Sequence, residues 1–239
     1  MEISSPVSQV YINDDDIETF VCINNFYSVI EPRNKVSCDL ILTFINCKGV
    51  PVLKINYNLP FNGSKLVSIK NLFLEENISS KLGSVCVKLM PRSIDEFVNN
   101  GKVTHHFFTI YKNEKSISTV HTQSAIDAKP FLRQFWRSNQ LIDTDKLKKI
   151  KIYQCNHLQE NVEIEYSLFD AQTDELFMSK SLKIHHLSSQ YVEFDLEEKS
   201  QGAHKNNLLY LKTNRLPCGN SKPLIMREYN DGIFSISHG

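Results

Sequence analysis

The sequence predicts an all-β chain built as two tandem antiparallel β-sandwich domains of similar topology, an internal duplication. Three observations carry this. Short apolar-rich runs recur with turn residues between them, and helix-period patterns are nearly absent. The run from Lys222 to Gly239 (KPLIMREYNDGIFSISHG) reads as a β-hairpin, because Asp231-Gly232 between apolar runs suits a type I′ turn, which needs positive φ at both central residues. The run from His105 to Thr122 (HHFFTIYKNEKSISTVHT) is a looser version of the same hairpin. Each version has a Tyr before the turn (Tyr111, Tyr229), a Ser-rich returning strand and a His at its end (His121, His238).

In chain order, Met1 to Asp16 is polar with three consecutive aspartates, so it reads as a leader or a short edge strand. Glu18 to Asn25 is a strand candidate. Val36 to Asn46 has apolar residues on both faces and is expected to be a central strand covered on both sides. Lys48-Gly49 and Asn62-Gly63 turn the chain into Val52–Leu59 and Leu66–Leu72. Glu75 to Leu82 is polar and suits a short helical turn, and Val85–Met90 and the first hairpin complete the unit.

The second half repeats the plan. Asp39–Gly63 lies over Glu163–Leu187 without a gap, which sets one hairpin turn on the other. At the same offset SKLVSIKNL (Ser64–Leu72) matches SSQYVEFDL (Ser188–Leu196), where Val192, Phe194 and Leu196 alternate with charged residues. Leu208–Lys212 answers to Val85–Met90, and Asn214-Arg215-Leu216-Pro217 breaks the strand before the last hairpin. A single repeat at this spacing indicates two domains, not a solenoid. The boundaries are residues 1–121 for the first domain, 122–145 for a linker crossing the junction, and 146–239 for the second.

The 239 residues suffice for two domains of ordinary size, and 41% hydrophobic with 23% charged residues is an ordinary globular composition. Lys plus Arg equals Asp plus Glu at 27 each, so no global field recruits nucleic acid or an anionic membrane. The N-terminus lacks the basic and apolar regions of a signal peptide and no run is long enough to span a bilayer, so a cytoplasmic location is expected. The six cysteines form no C-x-x-C pair, which favours buried reduced thiols over disulfides or a zinc site.

Two groups of residues could carry function. Phe131, Arg133, Phe135, Trp136 and Arg137 form the densest aromatic and cationic cluster in the chain. It reads either as linker packing at the domain interface or as a platform for a sugar ring or an acidic partner. The second group is a histidine pair. If Tyr111 faces Ser116 across the hairpin, His106 faces His121, close enough to share a metal, although a catalytic zinc needs a third ligand. In the last hairpin the same arithmetic sets Ile225 against His238. No G-x-S-x-G, H-E-x-x-H or glycine-rich phosphate motif is present, and no cofactor is implied.

SSQYVEFDL, preceded by two paired strands and followed by the Asn-Arg-x-Pro break and a final hairpin, resembles the small β-sandwich of the soluble sensory rhodopsin transducer family. The resemblance implies a domain that assembles into oligomers and shares its fold with carbohydrate-binding sandwiches. The chain departs from the family in being tandem and in lacking a glutamine and a histidine after the penultimate strand. The sequence thus reads as a noncatalytic binding or adaptor protein for a carbohydrate or protein partner, with self-association open. The second reading is a metal-dependent hydrolase or isomerase using the first-domain histidines.

Overall fold

The computed structural model describes residues 7–30, 32–33, 35–92, 107–122, 124–125, 135–196, 208–216 and 222–239. The first half contributes β1 (Val7–Ile12), β2 (Glu18–Asn24), β3 (Cys38–Asn46), β4 (Pro51–Leu59), β5 (Ser64–Ser68), β6 (Leu82–Pro91), β7 (Phe108–Lys112), β8 (Ile117–His121) and β9 (Ser124–Ala125). Two short helices interrupt it, α1 (Tyr27–Ile30) and α2 (Ile69–Glu75). The second half contributes β10 (Trp136–Arg137), β11 (Ile142–Asp143), β12 (Leu147–Cys155), β13 (Val162–Asp170), β14 (Leu176–Ile184), β15 (Ser189–Asp195), β16 (Leu208–Thr213), β17 (Leu224–Tyr229) and β18 (Phe234–His238).

These strands form four antiparallel sheets, two in each half. The order β4-β3-β6-β1 of the first half answers to β14-β13-β16-β10, and β5-β2-β7-β8 answers to β15-β12-β17-β18. Register agrees as well as order. Inward Leu40, Leu42 and Phe44 of β3 match Ile164, Tyr166 and Leu168 of β13, all fully buried. The halves are offset by one residue in the first hairpin turn of each, where the sequence alignment ran on without a gap. Gly49 closes the β3–β4 turn at φ 82°, whereas the β13–β14 turn holds one more residue and closes on Asp174 at φ 58°. Val67 of β5 therefore matches Val192 of β15, and both point inward.

Each half closes its own core. In the first, Tyr11, Phe44 and Phe73 meet edge-on, with Phe73 5.4 Å from both other rings. A third core lies between the halves. There Val10, Ile12, Tyr111 and Val120 pack against Tyr153, Leu224, Met226, Phe234 and Ile236.

Several expectations change in the structure. The polar-looking start is β1, and all six of its residues are buried. Val7 and Tyr11 face the first core while Val10 and Ile12 face the core between halves. Its polar side chains are tied internally: Gln9 Oε1 accepts from the Val10 amide, and Ser8 Oγ lies 2.5 Å from His157 Nε2. β3 is central but covered on one face, since Asp39, Ile41 and Thr43 are only half-buried. The predicted strand Leu66–Leu72 stops at Ser68, whose hydroxyl accepts from Asn71 N at 3.1 Å and caps α2. The helical turn thus precedes the polar stretch in which it was expected.

Both hairpins also differ from their predicted registers. In the first, Asn113 Oδ1 accepts from the Lys115 and Ser116 amides, the loop closes one residue later, and Tyr111 faces Ser118. In the last, only Gly232 has positive φ (79°), and Tyr229 N donates to Ile233 O. This is a three-residue loop with glycine at the left-handed position, not a type I′ turn. Leu224, not Ile225, then faces His238.

The described parts of the expected linker include three two-residue strands. Ser124–Ala125 pairs with β1, and β10 and β11 both pair with β16. Lys149 and Lys151 form half-buried ion pairs with Glu193 and Glu228. Five cysteines are free thiols; Cys38, Cys86 and Cys155 are buried as expected, Cys22 and Cys47 only half-buried, and Cys218 lies outside the described residues. Among the described residues no helix is long and apolar enough to cross a membrane.

Candidate functional site

The two Ser-rich returning strands meet. β8 and β18 run side by side in the same direction, joined through hydroxyls instead of a backbone ladder. Ser116 Oγ accepts from Phe234 N and Ser118 Oγ from Ile236 N, each at 3.0 Å. At the turn end of this seam, Asn113 Nδ2 donates to Gly232 O and Lys115 Nζ to Asp231 O. At the other end the His238 Nε2–H donates to the His121 carbonyl, and the two imidazoles lie 4.8 Å apart between centroids.

A cleft opens at each end. The turn-end cleft, of about 450 Å³, is lined by Asp14, Asp15, Asp16, Glu114 and Glu228 together with Lys115 and Lys151. Its charges are largely committed within the protein. Asp14 Oδ1 accepts the amides of Asp16 and Ile17, Asp15 pairs with Lys81 at 3.1 Å, and Glu228 pairs with Lys151 at 3.3 Å.

The histidine-end cleft, of about 400 Å³, has a different chemistry. Thr119 and His121 come from the first half, and Asn139, Gln140, Lys222 and His238 from the second; among the described residues no carboxylate side chain lines it. Gln140 is oriented by its neighbours: its Oε1 accepts from Ser237 Oγ at 2.7 Å and from Arg227 Nη2 at 3.2 Å, which leaves its NH2 group to serve the cleft. Arg227 is 9% exposed, and its partners here, Gln140 and Ser237, are both neutral. A buried guanidinium with neutral partners projects positive potential toward oxygen acceptors. Burial chiefly, with lesser effects of the positive potentials of His121 and Lys222, pushes His238 down to about 4, so its imidazole is neutral near pH 7. With Nε2 donating to His121, its Nδ1 is an acceptor that is buried and has no protein partner among the described residues.

The predicted site residues are dispersed. Trp136 is 6% exposed and belongs to the second-half core, where its ring abuts Gly239 at the edge of the histidine-end cleft. Phe135 is 71% exposed. Arg137 stacks over Tyr210, 3.8 Å from the ring centroid, on the outer face of the β16 sheet. The Phe169 ring stacks on Tyr210 and carries Lys212 at 4.1 Å. An aromatic and cationic cluster therefore exists, but Tyr210 and Phe169 form it, and the cations already occupy the ring faces. Phe131 and Arg133 lie outside the described residues.

The histidine pairing changes in the same way. His121 faces Phe108, and its imidazole neighbour is His238. His106 lies outside the described residues. No group of three His, Cys, Asp or Glu able to hold a metal occurs among the described residues. The pairing of His121 with His238 had a signal in the sequence, since each ends its own hairpin, but Gln140 had none. No protein-family model matches the chain, and no curated protein is significantly similar to it.

Proposed function

We propose that the chain is a noncatalytic binding module that holds a carbohydrate in the histidine-end cleft, with the two halves derived by duplication. The observation that carries this reading is the cleft itself. Both halves contribute to it, its described lining of amide, imidazole, hydroxyl and ammonium groups includes no carboxylate side chain, and Gln140 is held in place by Arg227 and Ser237. Sugar hydroxyls are donors and acceptors at once, so they suit a lining that offers the NH2 of Gln140 together with the Thr119 hydroxyl and the Asn139 amide. The volume, about 400 Å³, is ordinary for a small-ligand site. Metal-dependent hydrolysis would need a third ligand beside the imidazoles, and no described residue supplies one. Five free thiols fit a reducing compartment such as the cytoplasm.

A glycan array probed with the full chain tests the reading, followed by titration calorimetry on any hit. Gln140→Ala and His121→Ala, both at exposed positions, are each expected to weaken the best hit about tenfold at near-normal melting temperature. No glycan bound, or binding indifferent to both substitutions, overturns it.

A further inference from the structure

The histidine-end cleft lies where the second half departs from the plan of the first. β1 pairs with β6 through six consecutive residues, Val7–Ile12. Its counterpart is split into β10 and β11. Ser138, Asn139, Gln140 and Leu141 span the stretch opposite Leu211 and Tyr210, where the first half sets only Gln9 and Val10 opposite Val85 and Ser84. The extra residues form a bulge, and that bulge carries both amide side chains of the cleft, Asn139 and Gln140.

The last hairpin departs as well. By register Arg227 stands where the first half has Tyr111, and Ser237 where it has Val120. In the first half these positions are sealed: Tyr111 and Val120 are buried, and the Tyr111 hydroxyl donates to Val10 O. In the second half the same two positions hold Gln140 by its Oε1. Three departures from the repeat thus meet at one amide.

They bring charge without a counterion. The Arg227 guanidinium donates to two neutral oxygens, Ser237 Oγ at 2.8 Å and Gln140 Oε1 at 3.2 Å, and Lys222 lines the cleft. Neither cation forms an ion pair with a described residue, the main chain of Gly239 at the cleft edge included. Lys149, Lys151 and Lys212 in the same half each have a carboxylate oxygen at 2.8 to 3.4 Å. A poorly solvated charge favours an opposite charge nearby, and Arg227 further polarises the Gln140 NH2 through the carbonyl it holds. A neutral sugar in the cleft would leave both cations uncompensated. Building on the carbohydrate reading, we propose that the cleft takes an acidic sugar, whose carboxylate, sulfate or phosphate group sits against Lys222 and the Gln140 NH2 while Arg227 acts as a positioning residue.

Matched glycans test this on the full chain: each neutral oligosaccharide beside the same backbone carrying a uronate carboxylate, a sulfate or a phosphate, with inorganic sulfate and phosphate as competitors. Calorimetry on the best acidic glycan and its neutral twin is expected to show the acidic one at least about tenfold tighter, by a ratio that shrinks as salt is raised. Which twin binds best tells a carboxylate from a sulfate or phosphate. Lys222→Gln, at an exposed position, is expected to lower the ratio at least about threefold at unchanged melting temperature. Arg227→Met lowers it as well, and Arg227→Lys, which keeps the charge, restores it. Neutral twins bound as tightly as acidic ones overturn the proposal and leave the carbohydrate reading standing. Inorganic sulfate or phosphate bound as tightly as the acidic glycan, or no glycan bound, overturns both. A ratio unmoved by Lys222→Gln, or by Arg227→Met in folded protein, overturns the proposal too.

Discussion

Acidification will weaken this fold through its two buried imidazoles, His157 and His238, and His157 isolates the effect best. His157 is 7% exposed, Ser8 Oγ from the other half lies 2.5 Å from its Nε2, and burial pushes it down to about 4. In the unfolded chain it titrates near the ordinary value of about 6.5. Between those values the unfolded chain binds a proton that the folded one refuses, so stability present above the unfolded value is lost as pH falls. The gap corresponds to about 3 kcal/mol in full, of which about 2 kcal/mol is lost between pH 7 and pH 5. Urea unfolding followed by the fluorescence of Trp136, the single tryptophan, measures this at each pH. Carboxylates and His238 contribute their own pH dependence, so the comparison is with His157→Gln, which keeps a polar group for Ser8 but cannot titrate. Wild type is expected to lose about 2 kcal/mol more than the variant over that interval. Parallel losses would refute the reasoning.

Two further outcomes follow from the backbone and the seam. Ser116→Ala and Ser118→Ala remove the acceptors of Phe234 N and Ile236 N, and each is expected to cost about 1 kcal/mol in urea unfolding, more if the freed amide finds no water. A neutral result in both would mean that the hydroxyl contacts are not formed. Gly232 and Gly49 both have positive φ, but a Cβ on Gly232 meets nothing closer than 3.4 Å, whereas one on Gly49 would lie 2.4 Å from His186 O. Gly232→Ala is therefore expected to cost about 1 kcal/mol and Gly49→Ala clearly more, with thermal melts deciding the order.

The strands were legible in the sequence wherever alternation and turn residues acted locally. β2, β3, β4 and the strands of the last hairpin lie where period and turns put them. Register was less legible, because a single side chain decides it: Asn113 capping its loop moved the first hairpin's pairing by two residues. β1 was hidden because Ser8 and Gln9 look solvent-facing, and their partners lie elsewhere in the fold or in their own backbone. β5 was overextended because Ser68 reads equally as a strand residue and as a helix cap. The candidate cleft was least legible. His121 and His238 are 117 positions apart in sequence, and the oriented amide of Gln140 depends on Arg227 from a third segment.

The hydroxyl-bridged seam also bears on aggregation. β8 and β18 are each the last strand of a sheet, and a bare sheet edge is a template on which other chains add strands. Set side by side, each edge shields the other, while the serines keep the two sheets from fusing into one continuous ladder. The halves are thus each other's guard. Either half produced alone exposes an unprotected edge beside the apolar residues that the core between halves now covers, and it is the severed piece, not the intact chain, that is expected to precipitate.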